Sequence, residues 1–225
     1  MSIKPARAAA PRPGPEPSRD CPYCPRLVAY RADNIAAHPD WYNGPAPSFG
    51  DDDARLLVVG LAPGLQGANR TGRPFTGDYA GDLLYATMKK FGFATGTYAA
   101  RADDGLALAG AMISNAVRCA PPQNKPTPAE IRTCRPFLEA RLAGLRRLRA
   151  VVCLGRIAHD SVIAASGLKQ KDFPFSHGAR HEVAPGRLVL FDSYHCSRYN
   201  TNTGRLTGAM FEAVFADVRA HLGDA

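Results

Sequence analysis

The sequence predicts an α/β fold in which a parallel sheet is covered by helices on both faces. Four short apolar runs, at residues 54–60, 111–119, 149–155 and 187–195, are bounded by charges or glycine, as buried parallel strands are. Helical patterns lie between these runs, and that alternation implies crossover connections. No internal repeat offers a competing architecture.

In chain order, residues 1–20 hold five prolines among Ala and Arg. So little apolar surface predicts a disordered tail, with one domain over 21–225. "CPYCPRLVAYR" opens the ordered part and "ARLLVVG" is the first strand. The glycine-rich "GLAPGLQGANRTGRPFTGDYAGDLL" follows it, and a helix is expected to begin near Gly81. This loop has neither the spacing of a P-loop nor G-x-G-x-x-G. After "AMISNAVRC", Thr127 is placed to cap a helix, with Pro128 at its first position and Glu130 closing a capping box. Ile131, Cys134, Leu138, Leu142 and Leu145 then share a face. "RAVVCLG" leads into "RIAHDSVIAASG", and "RLVLFDSYH" precedes a last helix over about 206–221.

Composition bounds the function. A chain of 225 residues with 45% hydrophobic and 21% charged residues can build one core. No apolar run approaches the ~20 residues of a membrane span, and the N-terminus has no apolar signal region. A cytoplasmic protein with reduced thiols, away from membranes, is therefore expected. Twenty-eight Lys and Arg against 20 Asp and Glu give a net charge of +8, most of it Arg. That favours a polyanionic partner such as nucleic acid, although an Arg-rich codon preference gives the same excess.

Ligands of such sheets sit outside the C-terminal ends of the strands. Three motifs collect there: the glycine-rich loop, "SNAVRCAPPQNKP" and "SYHCSRYNTNTGR". Cys21 and Cys24 form C-x2-C, Cys119 ends a strand and Cys134 begins the next helix. Together they offer four thiolates to one metal centre, and thiolates suit zinc and iron–sulfur alike. Cys153 reads as a core residue, while Cys196 beside His195 is ambiguous.

Five blocks in order, "CPYCPRLVAYR", "GLAPGLQGANRTGRPFTGD", "VRCAPPQNKPTPAEIRTC", "LGRIA" and "SYHCSRYNTNTGRLT", resemble family 5 of the uracil-DNA glycosylase superfamily from Cys21 to the last helix. The resemblance implies an α/β/α sandwich with a central four-stranded parallel sheet. It implies a [4Fe–4S] cluster on Cys21, Cys24, Cys119 and Cys134, and excision of uracil and other deaminated bases from DNA; a monomer without a membrane partner is expected. Other branches carry a carboxylate or amide in the first strand-end turn, where this chain has the apolar Gly60-Leu61-Ala62-Pro63. Asp78 in "FTGD" is the family's usual candidate replacement. Asn115 matches a base-reading amide of other branches, not carried by every family 5 member.

On that reading the loop receives a flipped nucleotide, because a stacked base hides its glycosidic bond. The backbone at Gly60 and Ala62 approaches the substrate, and Phe75 stacks on the base unless it is a core aromatic. Arg70 and Arg73 contact phosphates unless they lie on a solvated loop. Asp78 orients water and stabilises the cationic sugar unless it merely caps a helix. His195 donates to the base carbonyl as negative charge develops. Asn115 and Asn124 are amides suited to a uracil edge, and turn chemistry competes for Asn124. Arg198 or Tyr199 fills the gap left by the flipped base, and Asn200 braces His195. The competing classes are a DNA-binding protein that keeps the fold and cluster without turnover, and a zinc-dependent nucleotide binder, for which no phosphate fingerprint is present.

Overall fold

The computed structural model describes residues 14–223. Its main sheet has six strands: β1 (Phe49–Gly50), β2 (Leu56–Gly60), β5 (Ala111–Asn115), β6 (Ala150–Leu154), β7 (Arg180–Ala184) and β8 (Leu188–Ser193). They run in the order β1-β5-β2-β6-β8-β7. The four inner strands are mutually parallel, in register Leu56↔Ala111, Leu56↔Ala150 and Ala150↔Val189. The expected four-stranded parallel sheet is thus the centre of a mixed one, because short antiparallel strands β1 and β7 close its two edges. A hairpin of β3 (Ala94–Thr95) and β4 (Ala107–Leu108) stands apart.

Every residue of the four inner strands is buried, as strands covered on both faces require. Leu56 and Val58 pack on one face with α3 (Tyr79–Lys90) and α7 (Gly208–Leu222), through Leu84, Met88, Phe211 and Phe215. Leu57 and Val59 pack on the other with α4 (Pro128–Gly144) and α5 (Arg156–Ala165), through Leu138, Val162 and Ile163. The period-two alternation along β2 is what separates the two apolar layers. The Thr127–Glu130 capping box forms at the start of α4, each side chain accepting from the other residue's backbone N–H.

Order begins earlier than position 21. Glu16 pairs with Arg118 at 2.6 Å and Arg141 at 2.5 Å, and accepts from the Ser48 amide. Two arginines in the domain need an anion, and Glu16 supplies it, so the segment from residue 14 is held against the sheet edge. The rest of the expected tail, residues 1–13, lies outside the described residues. Helix α1 (Pro25–Ala37) follows Cys24, which occupies its N-cap.

Candidate active site

A pocket of about 480 Å³ opens beyond the C-terminal ends of β2, β5 and β8. It gathers Ala62, Phe75, Asp78, Asn115, Asn124, His195 and Arg198. These come from three separate segments and meet because the inner strands are parallel and end together. Gly60 and Asn200 stand just behind this wall. A Cβ on Gly60 would lie 2.6 Å from Asn115 Oδ1 and 2.6 Å from the Phe75 ring, so glycine is what allows both side chains their places. Asn200, in the short helix α6 (Arg198–Asn202), donates through Nδ2 to the His195 carbonyl at 2.8 Å.

Asp78 occupies the N-cap position of α3 with extended backbone, yet its side chain makes no capping hydrogen bond. Its carboxylate instead lies against the glycine-rich loop, 3.1 Å from where a Cβ on Gly64 would sit and closer still to one on Gly67. Burial pushes this carboxyl above the ordinary aspartate range, and the nearby amides of Gly81 and Ala80 offset that only in part. His195 stacks on Phe75 with ring centroids 5.9 Å apart. Burial lowers the His195 imidazole to about 4, which leaves it neutral at neutral pH. Among the described residues six buried side-chain polar atoms lack a hydrogen-bond partner, and Asp78 Oδ1, Asn115 Oδ1 and His195 Nδ1 are three of them. Buried polar atoms are paired in the great majority of cases, so three orphans around one pocket mark a binding surface.

The "RPFT" turn is fixed from beneath. Phe75 has φ 53°, its carbonyl accepts from Tyr98 Oη at 3.2 Å, and Tyr85 Oη donates to the Pro74 carbonyl at 2.5 Å. Arg73 is 4% exposed and makes a two-pronged ion pair with Asp104, at 2.8 and 2.7 Å. Its guanidinium also faces the rings of Phe49, Tyr85 and Tyr98. Arg73 therefore supports the loop and is not available to phosphates. Arg70 remains exposed, with Nε donating to the Gln66 carbonyl.

Cys21, Cys24, Cys119 and Cys134 line one separate, partly open cleft, together with Leu27, Val117 and Phe137. The Arg118 amide donates to Cys134 Sγ at 3.3 Å, and Arg31 Nη1 lies 3.9 Å from Cys119 Sγ. Burial pushes the Cys119 thiol up to about 11 and the Cys134 thiol up to about 12. Cys153 and Cys196 are fully buried elsewhere, in the two apolar layers. Ala62 touches both the cysteine cluster and the pocket.

A family model for the uracil DNA glycosylase superfamily matches residues 47–219. The chain is 46% identical over 209 residues to the type-5 uracil-DNA glycosylase of Thermus thermophilus, covering 90% of this chain and 94% of that protein. It is 43% identical over 213 residues to that of Mycobacterium leprae, covering 90% and 92%. This chain belongs to the type-5 branch of the uracil-DNA glycosylase superfamily. A type-5 protein of Pyrobaculum aerophilum is 38% identical over 208 residues, 91% of this chain and 90% of that one.

For a uracil-DNA glycosylase superfamily site, the pocket also contains residues that sequence reasoning passed over. Tyr79 lines it and takes the Arg198 guanidinium over its ring at 5.2 Å. An exposed aromatic at a helix start, next to Asp78, was the available signal. Leu65 and Gln66 line the glycine-rich side. Ser197 also lines the pocket, and its hydroxyl caps α6 by accepting from the Asn200 amide. Tyr199 is 72% exposed and, unlike Arg198, does not line the pocket. No helix of the described residues is long and apolar enough to cross a membrane.

Proposed function

We propose that this chain hydrolyses the N-glycosidic bond of uracil in DNA, leaving an abasic site. The observation that carries the reading is the set of three orphaned buried atoms, on Asp78, Asn115 and His195, around one pocket. The type-5 relatives carry the name of that activity.

Cleavage places positive charge on the sugar and negative charge on the departing base, so the site needs an anion at one end and a donor at the other. Asp78 serves the sugar end: its carboxylate orients a water whose oxygen bonds to C1′ as the C1′–N bond breaks and its electron pair passes to the base. His195 is neutral, and its N–H donates to the base carbonyl that gains charge. Asn115 faces the base edge, where Oδ1 accepts the imide N–H. Asn124 also lines the pocket and contacts the same nucleotide. Phe75 supplies a flat face, already stacked on His195. The pocket is reached by flipping the nucleotide out of the duplex. Hypoxanthine and xanthine present the same carbonyl and N–H groups, so they fall within the same substrate class. Arg198 reaches the strand from the rim, and Tyr199 beside it fills the space that the base leaves. The enzyme acts as a cytoplasmic monomer on this reading.

The four cysteines fit a [4Fe–4S] cluster. Four thiols line one cavity, with N–H groups of Arg118 and Arg31 placed to offset thiolate charge. We read the four thiols as ligands of a multi-iron cluster, which would tie together the segments that carry them and supply no step of the hydrolysis.

Single-turnover incubation with a uracil-containing duplex, followed by alkaline cleavage, tests the reading. A cleaved strand is expected. Tight binding of the uracil duplex without cleavage would instead establish the non-catalytic DNA-binding alternative.

A further inference from the structure

On the face of the sheet covered by α5, His159, His181 and Asp192 converge. His159 comes from α5, His181 from β7 and Asp192 from β8. His159 and Asp192 are fully buried, while His181 retains a partial opening, its side chain 13% exposed. His159 Nδ1 lies 2.8 Å from Asp192 Oδ1, and His181 Nε2 lies 3.3 Å from Asp192 Oδ2. One ligand atom from each residue falls within a 4.8 Å circle. Neither the family's chemistry nor the cysteine cavity involves these three side chains.

We propose that His159 Nδ1, His181 Nε2 and an Asp192 carboxylate oxygen form a structural site for a divalent ion of the zinc class. Zinc takes imidazole nitrogens and carboxylate oxygens at about 2.0–2.2 Å, so ligand pairs around it stand about 3.0–3.5 Å apart. The two imidazole nitrogens approach the Asp192 carboxylate at 2.8 and 3.3 Å, each at its own oxygen, and the three ligand atoms all lie within 4.8 Å of one another before any movement. The outer surroundings are also those of a metal site. His159 Nε2 faces the Phe173 carbonyl at 2.8 Å, and an N–H donated there turns Nδ1 toward Asp192. Metal-bound histidines characteristically donate their second nitrogen in this way. The rings of Phe173 and Phe175 pack on the two histidines, with centroids 5.6–5.8 Å away, and make a dry wall. Without metal, both nitrogens of His159 face acceptors, so Nδ1 carries a proton; binding the ion releases that proton to solvent and leaves the carbonyl bond in place.

His181 is the ligand through which the ion enters, and three neighbours would be joined by it: α5, the edge strand β7 and β8. The ion would thus lock the edge strand and the segment carrying Phe173 to the sheet.

The test uses the full chain with its iron in place. Protein freed of loosely bound metal with a mild chelator is titrated with ZnCl2 by calorimetry, while iron content and visible absorbance are followed. The expected result is one zinc per chain with no loss of iron, and a raised melting temperature. His181→Ala, at a partly open position, should weaken zinc binding at least tenfold and abolish the thermal shift while keeping the visible spectrum. Asp192→Asn, which keeps the shape of the side chain, should weaken it similarly. Zinc binding with equal affinity in wild type and His181→Ala would overturn the site. So would zinc uptake that displaces iron mole for mole, or a melting temperature that falls in His181→Ala while the wild type does not respond to zinc, since the three residues would then be an ion pair and nothing more.

Discussion

The Asn115 carboxamide oxygen stands 2.6 Å from the point where a Cβ on Gly60 would project. The two residues are register partners at the ends of β5 and β2, so neither can move without the sheet. A methyl group at Gly60 must therefore displace Asn115, Phe75 or both. Gly60→Ala is expected to slow single-turnover uracil excision by about 10²-fold, the scale of a ~1 Å misplacement in a site. Chemical quench of a synthetic duplex measures it, and a wild-type rate would remove Asn115 and Phe75 from the list of groups that need their present positions.

Asp78→Asn should slow excision by about 10²–10³-fold, as losing a group aimed at developing charge does. The side chain makes no capping hydrogen bond, and burial outweighs the nearby Gly81 and Ala80 amides to raise the carboxyl, so its neutral replacement should melt no lower than the wild type. Paired rate and melting measurements separate the roles. An intact rate with a lower melting temperature would make Asp78 a structural residue and pass water placement to Asn124.

The pH profile follows from two shifts of opposite origin. Asp78 must be ionised, and burial raises it, so excision should fall with acid earlier than an ordinary aspartate would cause. His195 must be neutral, and burial lowers it to about 4, so no limb near 6.5 is expected from it. Rates from pH 5 to 8 for wild type and Asp78→Asn check both. The acid limb should vanish in the variant, and a surviving step near pH 6.5 would mean that His195 is solvated and titrates normally.

Arg73→Met should destabilise the fold without weakening DNA binding at saturating stability. Asp104 would keep a buried charge with its partner gone, a change that costs about 3–5 kcal/mol. Urea unfolding measures the loss, and salt-dependent DNA affinity measured well below the midpoint should be unchanged. The intact Arg73 guanidinium holds the Asp104 carboxyl well below the usual carboxylate range, so the pair strengthens the fold at neutral pH and fails only in strong acid.

Serine at Cys21, Cys24, Cys119 or Cys134 should remove visible absorbance and iron, while serine at Cys153 or Cys196 should not. Iron analysis of the six variants reads this directly. Stoichiometric iron after replacing both Cys21 and Cys24 would sink the cluster assignment.

Much of this was legible in the sequence for physical reasons. The inner strands are buried on both faces and read as unbroken apolar runs, and the Thr127 capping box has a fixed three-residue spacing. The three pocket motifs could be gathered because parallel strands end on one side, and the family resemblance singled out most of the residues within them. Other features depend on partners distant in the chain. β1 is two residues long and exists only because β5 pairs with it. Arg73 and Arg70 look alike in sequence, and what buries one is Asp104, thirty-one positions on. Glu16 sits in a proline-rich stretch whose composition predicts disorder, and its two arginine partners lie more than a hundred residues away. The His159–Asp192–His181 group is likewise spread over three elements whose packing no local pattern encodes.

The two antiparallel strands that close the sheet have a consequence for how the chain behaves in a crowd. An exposed, flat edge is a template on which another chain can add a strand. Here one edge is only Phe49–Gly50, too short to recruit a partner. The other carries exposed Arg180 and Glu182 and is irregular between Glu182 and Ala184. The borders of the sheet thus disfavour edge-to-edge addition of another chain to its apolar inner strands.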